Sequence, residues 1–183
     1  MNILQILAGD ACGGGITVYY MTKMAARILN LTRRNRRLKQ DTIDLMQPLF
    51  PNLDLKRVRL NINAELPGEW YNPNVSAMTF GYKIIFNRSN IQNKYKTDES
   101  LMLLMHELVH VDQMRRLSET GFACAYGVGF VNAGFNYDNI PLEIEAKEFV
   151  KANPIKNLKL VSPPSNTLTA KSNQIVTNTL LLS

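Results

Sequence analysis

Apolar residues recur at steps of three and four through Met21, Met24, Ala25, Ile28 and Leu31, the period of an amphipathic helix. A second, shorter helix is predicted over Gln40 to Leu49, stopped by Pro48 and Pro51. The period then changes to two. Val58-Arg59-Leu60-Asn61-Ile62-Asn63 alternates apolar and polar and predicts a half-buried strand, ended by the turn Leu66-Pro67-Gly68. Trp70 to Val75 reads as loop. Ala77 to Phe86, rich in aromatic and β-branched residues, reads as one further strand closed by Asn87, Ser89 and Asn90. Thr97-Asp98-Glu99-Ser100 is a helix start, with Thr97 or Asp98 as cap, and the helix is expected to run to about Leu117. Its next five residues, Leu101 to Met105, are all apolar, so the helix is buried at its start. Phe122 to Val131 predicts a short helix or an irregular packed segment. Asp138 or Asn139 caps a last helix, from about Ile140 to Ala152, with Pro141 in its first turn, where a missing N–H costs little.

These elements predict an α+β fold in three regions: a basic helical segment over 1–50, a mixed domain over 51–152, and a polar tail over 153–183. A chain of 183 residues with 45% hydrophobic and 20% charged residues is globular in composition, not disordered. Its net charge of +6 permits acidic partners. The run Arg33, Arg34, Arg36, Arg37, Lys39 has no interleaved aromatic residue for base stacking. It reads as a solvated helix face, so no specific nucleic-acid partner is expected. Gly13-Gly14-Gly15 lacks the spacing of a phosphate loop and reads as a flexible turn. Cys12 and Cys124 form no CxxC pair and read as two separate thiols. No basic start precedes the apolar residues near Met1, and no stretch has the length of a membrane span. A protein that is cytoplasmic, or exported without a classical signal peptide, is the expectation.

Candidate chemistry concentrates in one place. His106 and His110 are the chain's two histidines, four apart on a predicted helix, so both rings leave one face and can share one ion. Glu107 stands beside that face, where its carboxylate can reach a water on the metal. The string His106-Glu107-Leu108-Val109-His110 is an HExxH motif. Its buried setting adds weight, because buried imidazole and carboxylate groups cost free energy unless paired or metal-bound. A catalytic zinc needs three protein ligands and an open position. With no third histidine, a downstream carboxylate is required, and Glu143 and Glu145 lie early in the last predicted helix. They are two positions apart and face different ways, so only one can face the metal. Asp112, Asp138 and Cys124 are weaker alternatives; Asp112 falls on the wrong side of the His110 helix.

The extended string His106-Glu107-Leu108-Val109-His110-Val111-Asp112-Gln113 resembles the HELxHxxQ signature of a bacterial family of zincin-like metallopeptidases that often accompany contractile injection systems and polymorphic toxins. Thr79-Phe80-Gly81 followed by Ile84-Ile85-Phe86, and Tyr137 followed by Pro141-Leu142-Glu143-Ile144-Glu145-Ala146, match the same layout over about residues 55 to 152. The resemblance implies a minimal zincin-like fold, in which a small antiparallel or mixed sheet packs on the HExxH helix and a second helix supplies a ligand. Glu143-x-x-Ala146 is similar to the ligand-bearing helix of gluzincins, where the first glutamate binds zinc, which favours Glu143 over Glu145. Lys147 departs from the gluzincin pattern, in which an aspartate after that alanine holds a ligating histidine.

The expected activity is hydrolysis of a peptide or protein substrate at a Zn2+ held by His106, His110 and Glu143. Glu107 is the expected general base, and Tyr137, or next Tyr126, the expected oxyanion donor. Gln113 is expected to support His110 or the backbone. The alternative is a non-catalytic zinc-binding domain that stabilises or docks a larger secretion or toxin assembly.

Overall fold

Residues 3–67, 75–87 and 97–155 are described by the computed structural model. Most of the predicted loop at 70–75, the closing residues Ser89 and Asn90, and most of the polar tail lie outside them. Among the described residues the fold is α+β, as predicted, with four helices and a small mixed sheet. Helix α1 spans Ile3–Leu29, strand β1 Arg36–Arg37, helix α2 Gln40–Met46 and strand β2 Arg59–Ala64. Strands β3 (Ala77–Phe80) and β4 (Lys83–Asn87) follow, then helices α3 (Thr97–Asn132) and α4 (Pro141–Ala152).

The sheet order is β1-β2-β4-β3, with β2 and β4 parallel and the two outer pairs antiparallel. The single strand predicted over Ala77 to Phe86 is in fact a hairpin. Gly81 adopts φ 59° at the first position of a two-residue loop, a conformation that an L side chain strains, and Phe80 pairs back onto Lys83. This puts β3 at the edge of the sheet. Alternation along the strands sends Leu60, Ile84 and Phe86 into a core with Leu104, Met105 and Leu108 of α3 and Met46 of α2. Ile85 and Phe80 point to the other face, against Ala26 of α1. Of the five apolar residues at the start of α3, Leu101, Leu104 and Met105 enter the core. Met102 and Leu103 line a cleft, Leu103 also packing against the core.

Helix α3 runs well past Leu117 but breaks at Ser118, where φ is 64° and ψ 162°. The Ser118 hydroxyl accepts a hydrogen bond from Gly121 N at 3.1 Å, so it caps a second helical segment that carries on to Asn132. Helix α4 starts at Pro141 with Ile140 as N-cap and no side-chain cap. Asp138 and Asn139 lie in the preceding 3-10 turn rather than capping it.

Two expectations for α1 are corrected. Gly13-Gly14-Gly15 is helix, not turn, and Cys12 and Cys124 are joined in a disulfide, not separate thiols. One packing constraint accounts for both. Helix α1 lies antiparallel on the second segment of α3, with Ala11 and Gly15 facing Ala123 and Gly127. A Cβ on Gly15 would stand 2.8 Å from the Gly127 Cα, and one on Gly127 would stand 2.7 Å from the Gly15 Cα. Small residues at a spacing of four let the backbones meet this closely, and the Cα atoms of Cys12 and Cys124 come to 4.1 Å. Farther along, Tyr19 and Lys23 both bond Glu119. The inward face of α1 is thus built from small residues and Tyr19. The stripe that announced the helix, Met21, Met24, Ile28 and Leu31, faces outward.

Gly127→Ala should therefore destabilise the fold by about 1–3 kcal/mol, the usual cost of overpacking. Gly14→Ala, with nothing within 4 Å of its Cβ, should not. Thermal denaturation of the two variants checks this; an unchanged melting point for Gly127→Ala would contradict the close crossing.

Candidate metal centre

His106 and His110 leave one face of α3, as the spacing of four predicts, and their Nε2 atoms approach to 3.1 Å. Glu143 enters from the first turn of α4 and is 2% exposed. Its Oε2 lies 3.2 Å from His106 Nε2 and its Oε1 lies 3.3 Å from His110 Nε2. One ligand atom from each of the three residues falls within 4.8 Å of the others, so the group could hold a metal ion. Glu145, two positions on, turns away to Gln113 and Arg116. Asp112 pairs with Arg115 and Arg116, Asp138 with Lys147, and Cys124 is taken up in the disulfide.

The supporting bonds suit a metal. His110 Nδ1 faces Gln113 Oε1 at 2.8 Å, which leaves Nε2 directed at Glu143 and free to ligate. Gln113 is fully buried and also donates to Leu142 O at 2.9 Å, tying α3 to the first turn of α4. Gln113 thus supports both His110 and the backbone. Lys147 bonds Asp138 at 2.6 Å and lies over the Tyr137 ring. Two phenols hold the carboxylate itself: Tyr126 donates to Glu143 Oε1 at 2.9 Å and Tyr137 to Oε2 at 2.6 Å. In this structure both proposed oxyanion donors are bonded to the third member of the group.

Glu107 is buried and lines the same cleft. Its Oε2 accepts a hydrogen bond from Thr79 Oγ1 at 2.6 Å. Sequence reasoning missed this contact. Thr79 lies in the Thr-Phe-Gly string, yet only the hairpin pairing shows that its side chain faces α3.

The electrostatics follow from burial and pairing. Burial raises the Glu143 pKa, but bonds with His106, His110 and Tyr137 outweigh it and hold the carboxyl well below its usual range. Burial lowers the pKa of His110. The bond to Glu143 and the charges of Glu107 and Glu143 outweigh that, and its pKa rises to about 9. Burial and then the Glu143 charge push both phenols up, so Tyr126 and Tyr137 stay protonated donors. Two imidazoles and a buried carboxylate are a donor set that a divalent cation can use.

The pocket opens into a cavity of about 1310 Å³. Its walls are β3 (Met78, Thr79, Phe80), the first turns of α3 (Met102, Leu103) and, across from them, α1 (Val18, Tyr19, Thr22). Phe130 and Phe135 line it as well.

Against known families, residues 37–118 match the model of the eCIS core domain, somewhat under half of the chain. The match takes in the sheet, His106, Glu107, His110 and Gln113 and stops at the break in α3. Glu143, Tyr126, Tyr137 and the whole of α1 lie outside it. Comparison with curated proteins and with solved structures returns no match.

Two outcomes are expected. Gln113→Ala should weaken metal binding about 10–100-fold, the usual cost of losing the group that orients a ligating histidine, while Glu143→Ala should abolish stoichiometric binding. Metal titration followed by calorimetry measures both. In metal-free protein, the raised His110 pKa stabilises the fold fully below its unfolded value of 6.5, and this contribution is lost as pH rises through about 9. The melting temperature in chelator should therefore fall between pH 6.5 and 9, and His110→Gln should flatten that slope.

Proposed function

We propose that the chain is a zinc-dependent metallopeptidase working in the setting of an extracellular contractile injection system. The injection-system setting rests on the eCIS core match over residues 37–118. The peptidase reading rests on one observation above the others. His106, His110 and Glu143 meet on the wall of an open cleft rather than inside a closed knot of side chains. Structural zinc sites are closed with four protein ligands, whereas a catalytic site keeps a position for water. Two imidazole nitrogens and one carboxylate suit zinc in donor type.

Bound zinc would supply a water of lowered pKa and polarise the scissile carbonyl. The protein's own groups do the rest. Glu107, held by Thr79, takes the proton of the attacking water and passes it to the leaving amine. Tyr126 keeps Glu143 in place. Tyr137, about half exposed and lining the cleft, turns from Glu143 to donate to the oxyanion. The edge strand β3 offers main-chain groups along the cleft, against which an extended peptide can add as a further strand.

The test is a peptide-library digest by zinc-loaded protein, with zinc per chain measured by elemental analysis. Wild type should carry one zinc and cleave. Glu107→Gln should keep its zinc and lose about 10²–10⁴-fold in rate, the span of general-base catalysis. Full activity in Glu107→Gln would remove the general-base assignment. Zinc-dependent stability with no cleavage of any peptide would instead make this site a docking or stabilising module.

A further inference from the structure

The outward stripe of α1 needs a partner. Met21, Met24 and Ile28 on α1, and Leu31 in the turn that follows it, are 67%, 64%, 60% and 73% exposed. Scattered exposed apolar residues are ordinary, but a continuous stripe of four marks an interaction surface.

Charge identifies the partner's chemistry. Residues 11–40 contain seven Lys and Arg and no Asp or Glu, more positive charge than the net +6 of the whole chain. Arg27 lies on α1 beside the stripe, and Arg33 and Arg34 follow Leu31 after a single threonine. The sheet extends this charge. Register places Arg37 opposite Arg59 and Arg59 opposite Lys83, so three cations stand in one row across β1, β2 and β4. They are on the α1 side of the sheet, since Lys83 shares its face with Ile85. Like charges directly opposite one another destabilise a sheet. No carboxylate among the described residues pairs with Arg27, Arg34, Arg36, Arg37 or Lys83. Arg33 has only Glu65, at 3.9 Å. Burial and the nearby charge of Arg27 both lower the pKa of Lys83.

We propose that the outward face of α1, with the cations flanking it, docks on an anionic lipid bilayer, the helix lying in the interface plane. An apolar stripe bordered by Lys and Arg, with no helix among the described residues long and apolar enough to cross, is the pattern of a helix that lies on a membrane. A second copy of the chain fits less well, because the same positive charge would face itself. Nucleic acid fits the cations but leaves the stripe without a role. The surface is separate from the metal group, and metal-free protein should bind equally.

The test is co-sedimentation of the full chain with vesicles of phosphatidylcholine alone and of phosphatidylcholine with one-third phosphatidylserine. Wild type should bind the anionic vesicles and not the neutral ones. Arg27→Gln and Arg34→Gln should each weaken binding about fivefold, as expected for one cation at a charged surface. Met24→Ser/Ile28→Ser, at exposed positions that keep the circular dichroism spectrum, should weaken it about tenfold or more. The proposal is overturned by absent binding, or by binding that survives loss of the stripe, which would be charge adsorption alone. Analytical ultracentrifugation that shows a dimer dissolved by Met24→Ser/Ile28→Ser would overturn it in favour of a second copy.

Discussion

A carboxylate that is 2% exposed has to be met by donors on every side, and much of this fold is arranged around that need at Glu143. Leaving such a charge unpaired costs on the order of several kcal/mol. Here four side chains meet it from three places: His106 and His110 from the first segment of α3, Tyr126 from the second, and Tyr137 from the turn before α4. On an unbroken helix Tyr126 would stand about 24 Å beyond His110 along the axis. The break at Ser118, capped by its own hydroxyl, brings the two to one carboxylate. The unfavourable φ of that serine is thus offset by the bonds it makes possible.

The same break decides what happens at the N-terminus. The second segment of α3 offers Ala123 and Gly127 as a flat surface, and α1 meets it with Ala11 and Gly15. The disulfide and the Tyr19–Glu119–Lys23 cluster hold that contact at two points along the helix. Helix α1 thereby becomes a wall of the cleft in front of the histidines. Because its inward side is spent on close backbone contact, its large apolar residues are left on the outside.

The eCIS core match ends where α3 breaks. Within the matched region lie the two histidines, Glu107 and the glutamine that orients His110. Beyond it lie the carboxylate that completes the group and both phenols that hold it. The metal group is thus assembled from a part this chain shares with that family's model and a part outside the match. Besides the contacts of the histidines with Glu143, Gln113 joins the two parts, bonding His110 on one side and the Leu142 carbonyl on the other.

What the sequence determined by itself is local. A spacing of four put both imidazoles on one face of a helix, five consecutive apolar residues marked that helix as buried, and the absence of a third histidine called for a carboxylate. The choice of Glu143 leaned on a resemblance to gluzincins, and the geometry brings that residue, not Glu145, to the histidines. Short-range periodicity carries such information because each helical turn repeats the same geometry. Only the tertiary structure decided the rest. The hairpin at Gly81 placed Thr79 on Glu107, the break at Ser118 brought in Tyr126, and the joining of Cys12 to Cys124 had no trace in a separation of 112 residues. The same holds for the stripe on α1. Its period announced a helix, but which face of that helix is buried depends on a partner segment about a hundred residues away, whose small residues admit the backbone and exclude the side chains.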